Sequence, residues 1–308
     1  MKPRIFLIAN LSAAAGCARR RWDKLWVELT SHGIQADHVI TDGPGQAMSL
    51  AREASRNYDV IAAVGGDGTV NEVASGILLA GKTKTALAII PFGTGNDAAH
   101  LLGIRSSVDA ANALVSGTTR AMDAIEVRCH DAGKEVTRYA LLYAAVGFAG
   151  ALLKRTTPTV KRLFGPRYCY SVGFFRALLD FKSPTMRVRC DDREFNGRMF
   201  LVSVGNAEIV GAGTMRLSPG AKVDDGKLNV NLIEDLGLLE TARWFPKVLR
   251  GMHTTHSKVR YFDVTSVTVE CEPLMEVQID GELYGHTPVT FHVRPRAIRV
   301  IAGHDGLA

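Results

Sequence analysis

The sequence predicts an α/β N-terminal domain with a mostly parallel sheet, residues 1–122, followed by a largely antiparallel β-sandwich domain, residues 123–295. Three observations lead there. The 308 residues exceed what one hydrophobic core usually organises, so two domains are the default. Up to Met122 short apolar runs alternate strictly with helical patterns, as in strands joined by helices that cover both faces of a parallel sheet. After Asp123 the period drops to two, as in half-buried antiparallel strands. With 46% apolar and 22% charged residues, the composition is that of an ordinary soluble globular chain.

RIFLIAN (4–10) reads as a buried strand. Trp22, Leu25, Trp26 and Leu29 then recur at i, i+3, i+4 and i+7, a helix that Gly33 stops. ADHVIT is a second strand, AMSLAREASR a helix and Asp59–Val64 a third strand. Val70, Val73, Ala74, Ile77 and Leu78 mark one face of the next helix, and Thr85–Ile90 is a fourth strand. In the second domain YALLYAAVGF, TMRVRC, RMFLVSVGN, KLNVNLI, VTSVTVEC, MEVQID and VTFHVRP read as strands. Helical excursions interrupt them at about 151–182 and 237–252. In the first excursion Val172, Phe175, Leu178 and Leu179 have the spacing of a core-facing side. AIRVIAG, near the end, is a candidate to return to the first domain, which 296–308 would then complete.

Gly65, Gly66 and Gly68 fall in the turn between the third strand and its helix, where open α/β sheets place ligands. Glycine lets backbone N–H groups approach a phosphate, and the helix N-terminus adds partial positive charge. A tight turn needing positive φ would explain the same residues. The turn PFGTG repeats the design after the fourth strand, with Asn96 or Asp97 as N-cap, and two such turns on neighbouring strands suggest one polyphosphate site. A third turn, Asn10–Gly16, could reach the same edge. GILLAGKT (76–83) fits the P-loop pattern but lies inside a helix and before a strand, the wrong context, so Gly81 reads as a helix C-cap.

No uncharged apolar run reaches the length of a membrane span, and no secretory leader is expected. Cys17, Cys129, Cys169, Cys190 and Cys271 are scattered and read as reduced cytosolic thiols. The nine histidines show no metal spacing, and His253 and His256 read as surface residues. The net charge of +6 is concentrated: residues 151–190 hold nine Lys or Arg against one acid, Asp180. Phe164, Tyr168, Tyr170, Phe174, Phe175 and Phe181 share that segment, which suits an anionic membrane surface. Nucleic-acid binding is not expected, because no recognised binding motif accompanies the charge.

GGDGTVNE (65–72), PFGTGND (91–97), SPGAKVDDGKLNV (218–230) and IDGE (279–282), in this order, resemble the diacylglycerol kinase catalytic-domain family, and more closely its soluble bacterial lipid kinases. The resemblance covers essentially the whole chain. It implies a two-domain, NAD kinase/diacylglycerol kinase-like enzyme that transfers the γ-phosphate of Mg-ATP to a lipid hydroxyl. It implies that Asn10, Thr41, the loop Gly65, Gly66, Asp67, Gly68, Thr69, Val70, Asn71 and Glu72, and the residues Gly93, Thr94 and Asn96, line the nucleotide site, with Asp67 near the phosphates. Asp280 and Glu282 would hold the catalytic base. A structural Mg²⁺ would be bound by Asp225 and the backbone carbonyls of Lys222 and Lys227. The sequence departs from the family at NLSAAAG, at AAH after PFGTGND and at GAG (211–213), which bears on nucleotide affinity and substrate fit.

Both Asp280 and Asp225 also precede a glycine between apolar residues, so each is equally a hairpin turn. An NAD kinase and a catalytically silent nucleotide or lipid binder are the alternatives. The expected setting is cytoplasmic, peripheral to the inner face of the membrane. A lipid substrate is expected there, with no stable protein partner and the oligomeric state open.

Overall fold

The computed structural model describes residues 3–11, 18–81, 84–156 and 171–303. Expectations for the turn beyond Leu11, for Cys17 and Cys169, and for Lys161, Arg162, Phe164, Arg167, Tyr168 and Tyr170 lie outside the described residues. The chain divides into two compact units, Met1–Met122 with Arg296–Ala308, and Asp123–Pro295.

In the first unit β1 (Ile5–Ala9) pairs in parallel with β2 (Ala36–Ile40) and β3 (Val60–Gly65), and β3 pairs in parallel with β4 (Ala86–Pro91). Residues of β3 and β4 are buried throughout, as a strand covered on both faces requires. The helices between them are α1 (Ala18–Ser31), α2 (Gln46–Ala54), α3 (Asp67–Leu79), α4 (Asp97–Leu101) and α5 (Ser107–Ser116). Trp22, Leu25 and Leu29 are buried on α1, and each such side chain contributes about 2 kcal/mol. Gly33, at φ +67°, ends the helix. Helices α2 and α3 meet at Gly76, where a Cβ would stand 2.3 Å from the Met48 carbonyl oxygen. Ala80 caps α3, and Gly81 follows at φ +88°, so the P-loop-like string begins inside a helix, at Gly76–Leu79, and not after a strand.

The second unit is built from β5 (Thr119–Asp131) from Asp123 onward, β6 (Lys134–Ala140), β7 (Tyr143–Gly147), α6 (Phe148–Arg155), the helix α7 at 171–180 and β8 (Thr185–Cys190). They are followed by β9 (Arg193–Gly205), β10 (Leu228–Glu234), α8 (Leu238–Val248), β11 (Val259–Val264), β12 (Ser266–Glu272), β13 (Glu276–Ile279) and β14 (Glu282–Ile301). The order β11-β10-β9-β7-β13-β14 is antiparallel within this unit. Long strands join its parts: β9 pairs with β8 along its first half and with β7 and β10 along its second. β14 pairs with β13, then β12, and its end runs parallel to β4 in the first unit. Val202, Val204, Val230, Val277, Ile279 and Phe291 lie in one buried core.

YALLYAAVGF is two strands, because the N–H groups of Leu141, Leu142 and Tyr143 turn to the Asp280 carboxylate instead of a ladder partner. AKVDDGKLNV is no hairpin: β10 pairs with β9 and β11, and 218–224 hold no strand. On α7 the buried side is Phe174, Ala177 and Leu178, whereas Phe175 and Leu179 are exposed. Phe174 wins the core position because it stacks on Phe245 and meets Phe148 edge-on.

His253 and His256 are buried, not surface residues. His253 Nε2 donates to Asn231 Oδ1 at 3.2 Å, and burial lowers its pKa from 6.5 to about 4. The folded pKa lies below the unfolded one, so the unfolded chain binds the extra proton. Stability is complete above pH 6.5 and falls as pH drops toward about 4, by about 1.4 kcal/mol per pH unit and about 3 kcal/mol in all. Urea titrations at about pH 7.5, 5.5 and 4.5 are expected to show this loss and a shallower one in His253→Gln; equal slopes would contradict it.

Candidate functional site

Every residue assigned to the nucleotide in the first unit ends or follows the carboxyl end of one of its parallel strands, Gly65 being the last residue of β3. Asn10 follows β1, and its N–H donates to Val64 O at 2.9 Å; Thr41 follows β2, and its N–H donates to Ala9 O at 2.8 Å. Gly66 is the N-cap of α3, whose first turn is Asp67, Gly68 and Thr69. The N–H groups of such a turn have no intrahelical partner and present the positive end of the helix dipole.

The two glycine turns are pressed together. The N–H groups of Phe92 and Gly93 both donate to Gly65 O, at 2.8 and 3.2 Å. A Cβ on Gly93 would stand 2.4 Å from Gly66 Cα and 2.9 Å from Asn96 Oδ1. Asn96, at φ +55°, is the N-cap of α4, but its side chain closes the PFGTG turn on itself. It accepts from Gly93 N–H at 3.0 Å and donates to Gly93 O at 2.9 Å. Asp67 reaches across from α3, accepting the Ala98 N–H of α4 at 3.3 Å. Thr94 is exposed, whereas Thr69, Val70 and Asn71 are buried. A Cβ on Gly65 would meet Thr69 Oγ1 at 2.4 Å, so that glycine is required by packing.

Glu72 has a structural occupation. Its carboxylate accepts the N–H groups of Gly45 and Ala47, at 2.8 and 3.1 Å, and so caps α2 from another helix. Sequence reasoning missed Arg21. From α1 its guanidinium donates to the carbonyls of Phe92 and Pro91, at 3.1 and 3.3 Å, and lies 4.5 Å from the Phe92 ring centroid. It thus holds the second glycine turn from behind. An arginine on the exposed side of an amphipathic helix carries no local signal of that.

In the second unit Asp280 and Gly281, at φ +44° and +90°, form a two-residue hairpin turn between β13 and β14, with Ile279 opposite Glu282. This is the geometry in which positive φ at both positions matches the strand twist. Asp280 is also caged. Its Oδ2 accepts Leu141 N–H at 2.8 Å, and its Oδ1 accepts Leu142 and Tyr143 N–H at 3.0 Å each. Glu282 is exposed, and its Oε2 accepts the Tyr284 hydroxyl at 2.8 Å. Asn206 steadies the cage by donating to the carbonyls of Leu141 and Asp123, at 2.8 and 3.0 Å.

The turn 222–227 is linked to β5 through Asp123, whose carbonyl Asn206 also holds. Asp123 donates its N–H to Val223 O at 2.6 Å and accepts Gly226 N–H at 2.7 Å. Asp225 is exposed and accepts Lys227 N–H at 3.0 Å. Lys222 and Lys227 are exposed, and Lys227 Nζ lies 3.3 Å from Asp263. Among the described residues no group of three or more His, Cys, Asp or Glu could hold a metal ion, and no helix is long and apolar enough to cross a membrane.

Residues 4–127 match the diacylglycerol kinase catalytic domain, and 145–302 match the YegS C-terminal NAD kinase beta sandwich-like domain. A diacylglycerol kinase of Staphylococcus saprophyticus is 30% identical over 307 residues, 99% of this chain and 97% of that one. A diacylglycerol kinase of Staphylococcus aureus strain NCTC 8325 is 29% identical, over 99% and 94%. A solved structure described as a diacylglycerol kinase from Bacillus anthracis superposes with a TM-score of 0.72 at 22% identity, covering 98% of this chain and 97% of that one. Yeast NADH kinase complexed with NADH superposes at 0.53 and 10% identity, covering 98% and 84%. The last two likenesses are of fold alone. Because a relative at 30% identity spans nearly the whole chain and the catalytic-domain model matches the unit that carries both glycine turns, the chain belongs to the diacylglycerol kinase family.

Proposed function

We propose that the protein is an ATP-dependent lipid kinase that transfers the γ-phosphate of Mg-ATP to the hydroxyl of diacylglycerol or a related lipid met at a membrane surface. The observation that carries this is the mutual contact of the two glycine turns at the carboxyl edge of the first unit's strands. Side chains there would fill the space against which backbone N–H groups approach a triphosphate. Asn10, Thr41, the first turn of α3 and the Gly93–Asn96 turn hold the nucleotide in this reading. Asp67 lies near the phosphates, and Glu72 supports the site through α2.

Phosphoryl transfer passes through a loose transition state, so positioning and charge neutralisation matter more than a strong base. The caged carboxylate of Asp280 suits that demand. Three N–H donors fix its direction, and it accepts the acceptor hydroxyl's hydrogen bond and then its proton, with Glu282 beside it. Magnesium with the nucleotide would neutralise phosphate charge. At the 222–227 turn the Asp225 carboxylate and the carbonyls of Lys222 and Lys227 are hard oxygen donors of the kind Mg²⁺ takes.

Incubation with γ-labelled ATP, magnesium and a panel of dispersed diacylglycerol, sphingoid base, phosphatidylglycerol and NAD tests the reading. Label is expected in a lipid product. Label in NAD would establish the NAD kinase alternative, and ATP binding without transfer to any acceptor would establish a silent binder.

A further inference from the structure

Helix α8 is attached to its unit along a narrow line. Thr241 is its buried residue, with Trp244, Phe245 and Val248 half-buried around it. Phe245 stacks on Phe174 of α7 at 3.9 Å between centroids and lies edge-on to Phe175 at 6.2 Å. At about 100° per residue, Leu238, Leu249, Ala242, Pro246 and Leu239 follow Phe245 in that order around the helix. Arg250, Arg243 and Lys247 come next. An apolar band therefore starts at the α7 contact and ends at three cations.

The band is uncovered: Leu239 is 84% exposed, Leu238 49% and Leu249 39%. On α7 Leu179 and Phe175, 72% and 49% exposed, extend it, with exposed Arg176 next to Phe175 in sequence. The acid of α8, Glu240, stands beyond the cations, its carboxylate 3.1 Å from His256 and 3.0 Å from Lys258. Lys247 Nζ sits 3.5 Å from the Trp244 ring centroid, its stem laid along the helix with the charge at the rim.

The geometry points to the α7–α8 face as the surface on which the protein seats itself against an anionic bilayer. The leucines and Phe175 enter the acyl boundary, and Arg176, Arg243, Lys247 and Arg250 lie at the headgroup phosphates. Charge selects this occupant over a second copy of the chain, since two such faces packed band to band would bring cationic borders together. The biological purpose of the surface rests on the lipid-kinase reading; its chemistry does not.

Co-sedimentation of the full chain with phosphatidylcholine vesicles, with and without about one-third phosphatidylglycerol, tests the inference. The double variant Leu179→Glu/Leu239→Glu is expected to lower partitioning onto anionic vesicles at least about tenfold. Arg243→Gln and Arg250→Gln each lower it about fivefold on anionic vesicles and leave neutral ones unaffected. All four sites are exposed, so thermal unfolding should be unchanged, and phosphate transfer to a water-soluble short-chain diacylglycerol should stay within about twofold. Undiminished vesicle binding by the double variant would overturn the assignment. So would loss of an oligomer by light scattering while vesicle binding persists. Loss of vesicle binding alongside absence of phosphate transfer in every arm, unaltered chain included, would support the surface and overturn the kinase reading.

Discussion

Gly93→Ala is expected to lower kcat/KM for ATP by at least about a hundredfold while leaving both units folded. The added methyl would stand 2.4 Å from Gly66 Cα and 2.9 Å from Asn96 Oδ1. The first neighbour is backbone, and the second already exchanges two hydrogen bonds with Gly93. Relief requires the two turns to separate, and a misplacement of about 1 Å at a positioning element costs about a hundredfold in rate. The loss should appear for every acceptor, with the KM of the lipid nearly unchanged. Wild-type kinetics with ATP would mean that these turns do not hold the nucleotide.

Asp280→Asn is expected to abolish transfer, by at least about a thousandfold, while an ATP analogue still binds the first unit. Two effects combine. The carboxylate that receives the acceptor's proton is lost, and an amide NH₂ replaces an oxygen that accepts N–H groups. Whichever way the amide turns, its NH₂ faces Leu141 N–H or the pair Leu142 and Tyr143. Opposed donors in a buried turn cost about 3 kcal/mol, so the second unit should also melt earlier. Activity is therefore to be measured at a temperature where near-ultraviolet dichroism shows the unit folded. An active variant under those conditions would remove Asp280 from the chemistry.

The parts legible in the sequence are those set by local pattern. Alternating apolar runs and helical periods marked β1, β3, β4 and α1, because burial of one strand or one helix face is written in neighbouring residues. The Asp280-Gly281 pair announced a two-residue hairpin for the same reason. The three N–H donors that cage Asp280 come from 137–139 residues away, and no local pattern could reveal them. They also explain why the run from Tyr139 to Phe148 is broken. Glu72 capping a helix 25 to 27 positions away and Arg21 holding a turn 70 positions away were hidden alike. On α7 the apolar spacing admitted more than one buried side, and the aromatic rings of Phe148 and Phe245 decided between them.

Lipid phosphorylation by this chain requires that the two glycine turns receive a triphosphate. Amide hydrogen exchange, followed by mass spectrometry with and without a saturating non-hydrolysable ATP analogue and magnesium, tests it most directly. Strong protection is expected to be confined to peptides spanning 65–72 and 92–97, with weaker protection at 10–11 and 41. Tight analogue binding that left those peptides unprotected would contradict it.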